Sequence, residues 1–194
     1  MISDKYKTIF IHIPRTAGTS IEFALGKSDS KNKHRIVKSY IEIYGEEKWN
    51  KYFTFTFIRN PWDKMVSHYH QGYYNDNVRT TPIGIITKKG FKYFLENYKQ
   101  APWEPDPLTF KNILEVPEGY KPLDFIGRFE NLKEDFTKVC EKIGLKDKLK
   151  CINGNIKSRK HKHYSEYYNE ETKQMVYEMY KWDIETFDYK FSIK

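Results

Sequence analysis

The sequence predicts an α/β fold in which a parallel sheet carries helices on its faces. Two observations support this prediction. Apolar runs of strand length alternate along the chain with segments of helical spacing, and the runs end at turn-forming residues. Strands that are apolar along most of their length are typical of parallel sheets, because both faces of such sheets are covered. The chain has 194 residues, which is enough for one well-buried domain, and we expect a single domain over residues 1–194.

The first strand and the first helix flank the segment "IHIPRTAGTS". The β-branched and aromatic residues ahead of Pro14 predict a buried strand. Thr19 and Ser20 are favoured N-cap residues, and they predict a helix that stops at Gly26. A strand, a tight loop and a helix direct backbone N–H groups and a positive helix end towards one spot. The segment therefore predicts an anion site.

A second strand and helix are predicted in "YFTFTFIRNPWDKMVSHY". Phenylalanines at alternate positions are typical of a strand, and Asn60 followed by proline predicts its end and the cap of the next helix. Arg59 at the strand end has the geometry for a two-pronged contact with a phosphate. Ser67 lies in the following helix, three residues after Lys64 and on the same face, where its hydroxyl can donate to the same group.

The rest of the chain predicts a third strand and several helices. Gly144 predicts the end of one helix and Asn169 the start of the last, while Cys140 is expected as a buried helix thiol. The predicted helices are "IVKSYIEIYG", "EEKWNKY", "GFKYFLENY", "KEDFTKVCEKIGL" and "NEETKQMVYEMYKWDIETF", and the predicted strand lies in "LDFIGRFENL".

Composition limits the classes of protein that the chain can represent. Aromatic residues make up 17% of it, which is ample material for a core, and the formal net charge of +8 favours anionic partners. Two cysteines form neither a disulfide framework nor a zinc motif. The chain shows neither a signal-type segment nor an apolar run of membrane-spanning length, so we expect a cytoplasmic protein without a membrane partner.

Two motifs resemble those of a known family. The loop is not a Walker A motif, because no lysine precedes Thr19. Instead, Pro14-Arg15-Thr16-Ala17-Gly18-Thr19-Ser20 resembles the 5′-phosphosulfate loop of sulfotransferases. Arg59-Asn60-Pro61 with Lys64 and Ser67 resembles their 3′-phosphate motif. The segments "FIGRFENLKEDF" and "HYSEYYNEETKQMVYEMYKWDIETFDYKF" are similar to the branch that includes Golgi carbohydrate enzymes and small bacterial relatives.

The resemblance implies a donor, a reaction and a topology. The donor is 3′-phosphoadenosine 5′-phosphosulfate, whose sulfuryl group passes to a hydroxyl or amine and leaves 3′,5′-ADP, with no metal. The implied topology is nucleotide-kinase-like, of the P-loop type, with about five strands. The basic segment containing Lys157, Ser158 and Arg159 resembles the loop that closes over the nucleotide in this family. Aromatic residues in "YYNDNVR" and "APWEPDPLTF" favour a carbohydrate among small-molecule acceptors.

Arg15 and His34 are the candidate catalytic residues. Arg15 stands where the family normally has lysine, and it can stabilise charge on the leaving group but cannot readily donate a proton. His34 follows the first helix and is the candidate general base, since imidazole has a suitable pKa. Glu22 and His68 are the alternatives. His12, inside the first apolar run, is expected to be a hydrogen-bonded core residue.

Other functions stay open at this stage. Arginine at position 15, where the family normally has lysine, is compatible with a homologue that binds the nucleotide without turnover. A basic, aromatic-rich chain is also compatible with a nucleic-acid-binding module, although most aromatics here occupy core-like positions. A kinase-type phosphotransferase would require the Walker A lysine that the loop lacks.

Overall fold

The computed structural model of the chain divides into two compact units. The first unit is Met1–Arg59 with Ile113–Lys160, and the second is Asn60–Asn112 with His161–Lys194. The prediction of one domain over residues 1–194 stays a prediction. The described residues are 1–26, 34–74, 87–98, 109–146 and 162–194.

The first unit contains a mostly parallel sheet of four strands in its described residues. The order is β1-β2-β3-β4, with β2, β3 and β4 parallel and β1 antiparallel to β2. This confirms the predicted α/β class, whereas the number of about five strands and the nucleotide-kinase-like topology stay predictions. The strands are β1 (Ile2–Ser3), β2 (Thr8–Ile11), β3 (Phe53–Ile58) and β4 (Phe125–Arg128).

Helices flank this sheet and also build most of the second unit. A 3₁₀ turn, Phe129–Asn131, follows β4, and another, Tyr164–Tyr167, precedes α8. The helices are α1 (Gly18–Ala24), α2 (Val37–Tyr44), α3 (Glu46–Lys51), α4 (Pro61–Tyr74), α5 (Phe91–Asn97), α6 (Phe110–Leu114), α7 (Leu132–Ile143), α8 (Glu170–Met179) and α9 (Lys181–Thr186).

The core of the first unit lies between the sheet and the helices α1 and α7. Phe10 of β2 stacks on Phe55 of β3, with ring centroids 5.0 Å apart, and both rings are fully buried. Ile21 of α1 and Phe136 of α7 belong to the same cluster. Burying a side chain of this size contributes roughly 1.5–3 kcal/mol, so this layer fixes α1 against the sheet. Cys140 is buried in the cluster, as predicted.

Local capping signals set several helix ends as predicted. Gly144 ends α7 in a left-handed conformation, with φ 70°. The Asn60 side chain accepts a hydrogen bond from the Trp62 N–H at the start of α4. Asn169 and Thr172 bond each other's backbone N–H groups at the start of α8.

The start of α1 and the end of the chain differ from the prediction. The helix begins at Gly18, ahead of the predicted caps, because the left-handed Ala17 turns the chain and its carbonyl accepts from the Ser20 N–H. The last predicted helix is two helices, which separate at Tyr180. The break allows buried Asp183 in α9 to accept hydrogen bonds from the Phe110 and Lys111 N–H groups.

A carboxylate of the first unit gives a testable pH dependence. The Asp124 side chain accepts hydrogen bonds from the Thr54 N–H at 2.7 Å and from the Thr54 hydroxyl at 3.0 Å, and it pairs with Lys121. Burial raises the pKa of Asp124, but the hydrogen bonds from Lys121 and Thr54 outweigh burial and hold the pKa below its usual value. A lowered pKa stabilises the fold above the unfolded-state value of about 4 and loses this effect as the pH falls through the folded-state pKa.

We therefore expect Asp124→Asn to lower the free energy of unfolding by about 1–3 kcal/mol at pH 7, the usual loss for hydrogen bonds to a charged group. The difference from the parent protein should narrow below about pH 4, where the parent carboxylate becomes protonated. Urea unfolding at pH 7 and pH 3 measures both values. An equal difference at the two pH values would contradict this role for the charge.

No helix in the described part of the chain combines the length and the apolar character that crossing a bilayer requires.

Candidate functional site

The loop between β2 and α1 has an unusual backbone. Two of its non-glycine residues are left-handed, Arg15 with φ 66° and Ala17 with φ 68°. For residues other than glycine this conformation costs roughly 1–2 kcal/mol, so it persists where the surroundings enforce it. Turns that mix left-handed and right-handed residues form concavities lined with N–H groups, which bind anions. Left-handed residues are part of such turns, and the anion site at this loop stays a prediction.

Two hydrogen bonds hold this loop in place. The Thr16 hydroxyl donates to the Ile13 carbonyl at 2.8 Å, which ties the loop to the end of its own strand. The Arg59 guanidinium donates through Nη1 to the Arg15 carbonyl at 2.9 Å. Arg15 and Ala17 are half-buried and Thr19 is exposed, while the other loop residues, Pro14, Thr16, Gly18 and Ser20, are buried.

Arg59 follows β3 directly and is buried, with 2% of its surface exposed. Its Cζ lies 4.0 Å from the ring centroid of Phe129, in the turn after β4. The sequence predicted Arg59 as a phosphate ligand, and the structure also connects it to the loop that begins at Pro14. Two residues assigned to opposite ends of one ligand, Arg15 and Arg59, are therefore in direct contact.

A buried histidine–carboxylate pair lies beneath the loop. His12 Nδ1 is 2.8 Å from Glu22 Oε1, and both residues are buried. The prediction of His12 as a hydrogen-bonded core residue is confirmed. Its partner Glu22 lies ten positions further along the chain, in α1. No pattern in the sequence predicts that Glu22 contacts His12. The pair fixes α1 to the segment that follows β2.

Gly18 is required by the His12 ring. A Cβ at Gly18 would lie 2.1 Å from His12 Cδ2 and Nε2, far inside any real contact. The ring has little freedom to move away, because Nδ1 is bonded to Glu22 and its face stacks on Phe10 at 5.7 Å. Glycine at this place is thus a packing requirement as well as part of the motif.

We expect Gly18→Ala to lower the free energy of unfolding by about 1–3 kcal/mol, the usual effect of overpacking, and to lower activity because the loop must shift. Gly127→Ala is the matched control: its Cβ would lie 2.4 Å from the ring of Phe57, which belongs to the core cluster of the first unit. The control should lose similar stability but keep activity below its melting temperature. Unfolding curves and initial rates give both quantities, and parental behaviour of Gly18→Ala would contradict the packing requirement.

His34 lies next to the His12 ring. The two ring centroids are 4.7 Å apart and the rings are nearly perpendicular, at 89°. His34 is exposed, precedes α2 by three residues and has a left-handed backbone with φ 60°. The predicted base is therefore accessible and beside the ring that packs against Gly18.

Ser67 and Lys64 belong to α4 of the second unit, and both are buried. Lys64 Nζ lies 5.0 Å from the ring centroid of Phe110 and 5.1 Å from that of Tyr180. Burial raises the pKa of Asp183, while the Phe110 N–H, the Lys64 charge and the Lys111 N–H oppose the shift. The ammonium group of Lys64 thus interacts with two aromatic rings and with a carboxyl group of its own unit.

The alternative base His68 is buried on the same helix, with its ring 5.4 Å from that of Tyr98.

Other predicted site residues lie outside the described residues, namely Lys157, Ser158 and Arg159. The same holds for most of the two aromatic segments that favour a carbohydrate acceptor. Within the described ranges, no three histidine, cysteine, aspartate or glutamate side chains are grouped as a metal site requires.

Comparisons with known proteins address the family directly. The sulfotransferase family model matches residues 1–190, which confirms the family that the sequence resembles. A protein of Archaeoglobus fulgidus that is named only as uncharacterized is 36% identical over 106 residues, which cover 54% of this chain and 78% of that protein. No solved structure matches the chain. Because the family match extends over almost the whole chain, the protein belongs to the sulfotransferase family and is a transferase of sulfuryl groups.

Proposed function

We propose that the protein transfers the sulfuryl group of 3′-phosphoadenosine 5′-phosphosulfate to a hydroxyl or amine acceptor, with a carbohydrate as the favoured class. In this reaction the bond between sulfur and the bridging oxygen breaks, a bond between sulfur and the acceptor forms, and 3′,5′-ADP and one proton are released. The observation that carries the proposal is the left-handed loop between β2 and α1, with Arg15 at its head. Members of this family generally use this donor.

The loop suits the 5′ end of the donor. Transfer builds negative charge on the oxygen that bridges sulfur and the leaving phosphate. Fixed N–H groups and a cation that face this oxygen stabilise the transition state more than the ground state. Arg15 is half-buried as a residue, and a charge that is partly shielded from water interacts more strongly with a neighbouring charge. We assign the loop N–H groups and Arg15 to this task.

Arg59 and Ser67 are assigned to the 3′-phosphate, and the basic segment with Lys157, Ser158 and Arg159 to the nucleotide. The resemblance of the motifs supports these assignments. Arg59 supplies a planar group of N–H donors that matches a phosphate in two-pronged fashion, and the contact of its guanidinium with the Phe129 ring at 4.0 Å restricts the side chain.

His34 is assigned to the acceptor. A hydroxyl becomes a better nucleophile as a base takes its proton, and an exposed imidazole is accessible to an incoming substrate. Arg15 keeps its own proton near neutral pH, so the leaving phosphate is stabilised by charge rather than by proton transfer. We therefore assign Arg15 to the leaving group and His34 to the acceptor.

The donor assignment predicts which nucleotide stabilises the protein. We expect 3′,5′-ADP to raise the melting temperature clearly and 5′-AMP to raise it much less, since 5′-AMP lacks the 3′-phosphate. A ligand at ~100 times its dissociation constant adds about 2.7 kcal/mol, which a thermal-shift assay detects easily. ATP with magnesium and a single-stranded oligonucleotide serve as controls for the kinase and nucleic-acid alternatives. Equal shifts with 3′,5′-ADP and 5′-AMP would contradict the 3′-phosphate assignment.

A further inference from the structure

Arg59 has a structural contact that its assignment to the 3′-phosphate does not require. The guanidinium donates through Nη1 to the Arg15 carbonyl at 2.9 Å, and it lies over the Phe129 ring with its carbon 4.0 Å from the ring centroid. The side chain is almost completely buried. Arg59 is thus held on one face by Phe129 and is bonded at one nitrogen to the loop.

The carbonyl that accepts this hydrogen bond belongs to a strained residue. Arg15 has φ 66°, a conformation that an arginine adopts where other contacts enforce it. A partly buried hydrogen bond from a charged donor to its carbonyl is such a contact, because the bond exists only while the peptide after Arg15 keeps its present orientation. Arg59 therefore supports the backbone that carries the next N–H groups of the loop.

We propose that Arg59 is a positioning residue for the phosphosulfate loop, and that it couples the two anion-binding ends of the donor site through one guanidinium. The inference rests on the proposed function, since it assumes that the loop binds the 5′ end of the nucleotide. A guanidinium has five N–H donors in one plane, so it can keep its bond to the Arg15 carbonyl while other donors serve a phosphate. A lysine at this place could not hold both partners in fixed directions.

The coupling has a consequence that a pure 3′-phosphate ligand would not show. A substitution at Arg59 should weaken nucleotides that lack the 3′-phosphate, because the loop for their 5′-phosphate loses its support. A substitution at Phe129 should do the same without removing a residue that is assigned to the nucleotide. A change at Ser67, which is assigned to the 3′-phosphate alone, should leave 5′-AMP unaffected.

Calorimetric dissociation constants for 3′,5′-ADP and 5′-AMP test this inference on the full chain. For Arg59→Lys we expect 5′-AMP to bind about three- to tenfold more weakly, the usual effect of one lost hydrogen bond, and 3′,5′-ADP to lose more than that. For Phe129→Leu we also expect weaker binding of 5′-AMP, and 3′,5′-ADP should lose at least as much, because the ring holds the guanidinium that is assigned to the 3′-phosphate. Ser67→Ala should lose affinity for 3′,5′-ADP alone. Phe125→Leu, an equivalent change in β4 at a ring that packs against Phe57, should bind both nucleotides like the parent.

The outcomes separate this inference from the proposed function. If neither Arg59→Lys nor Phe129→Leu weakens the binding of 5′-AMP, Arg59 does not position the loop, although the donor assignment stands. If the parent protein itself does not distinguish 3′,5′-ADP from 5′-AMP, the donor assignment fails instead. Melting curves identify any variant that is unfolded, and Phe129→Leu then tests the inference without Arg59→Lys.

Discussion

Replacing Arg15 by alanine should lower the turnover number by about 10²–10³, the usual effect of removing one transition-state donor. Arg15 heads the loop between β2 and α1, and we assign its charge to the leaving phosphate, which gains negative charge during transfer. The Arg59 bond is to the Arg15 backbone, so the substitution removes the cation and leaves that support in place. Binding of 3′,5′-ADP should change less than turnover, because the product lacks the transferred group.

Two further variants separate the effect of the Arg15 charge from the effect of its left-handed backbone. Arg15→Lys should keep substantial activity, since relatives use lysine at this place. Arg15→Gly relieves the left-handed strain yet lacks the cation, and it should be as slow as Arg15→Ala. Steady-state rates with any accepted hydroxyl substrate are the measurement. A parental turnover number for Arg15→Ala would remove Arg15 from the mechanism.

Replacing His34 by alanine should lower the rate by ~10²–10⁴ and abolish the acidic limb of the pH–rate profile. An imidazole accepts a proton only while it is neutral, so the parental rate should fall at acidic pH, where the base becomes protonated. Affinity for 3′,5′-ADP should stay parental, because His34 is assigned to the acceptor. Rates from pH 5 to pH 9 provide the profile.

A further variant is needed because the backbone of His34 is left-handed. Its φ of 60° suits asparagine better than alanine, so His34→Asn preserves the conformation while removing the base, and it should be as slow as His34→Ala. His163→Ala removes an imidazole that caps the 3₁₀ turn of the second unit, and it should keep the parental pH profile. If both His34 variants keep the parental rate and pH dependence, His34 is a surface residue and Glu22 or His68 becomes the next candidate.

Features that local sequence determines were predicted well. The three parallel strands β2, β3 and β4 were predicted because their residues favour the strand conformation. The ends of three helices were predicted from single residues: a glycine ends α7, and an asparagine precedes α4 and α8. The start of α1 was predicted too late because a left-handed alanine replaces the expected side-chain cap. No propensity favours alanine in that conformation.

Features that depend on contacts between distant residues were not predictable from one sequence. Strand β1 has two residues and exists because Ile2 pairs with Ile9. The partners of the candidate site, Glu22 for His12 and Phe129 for Arg59, lie 10 and about 70 positions away along the chain, and nothing in the spacing relates them. The motifs identified the residues of the loop, whereas only the fold revealed what holds the loop in shape.

Transfer of a labelled sulfuryl group tests the proposed donor and the proposed reaction in one assay. The full chain is incubated with ³⁵S-labelled 3′-phosphoadenosine 5′-phosphosulfate, a panel of glycans and small phenols, and EDTA. We expect label on a hydroxyl or amine of at least one acceptor, with one 3′,5′-ADP formed per group transferred and no loss of rate in EDTA. If 3′,5′-ADP binds tightly but no acceptor in the panel receives label, and the donor stays intact, the proposed transfer from this donor is contradicted and the chain acts on it as a binding protein.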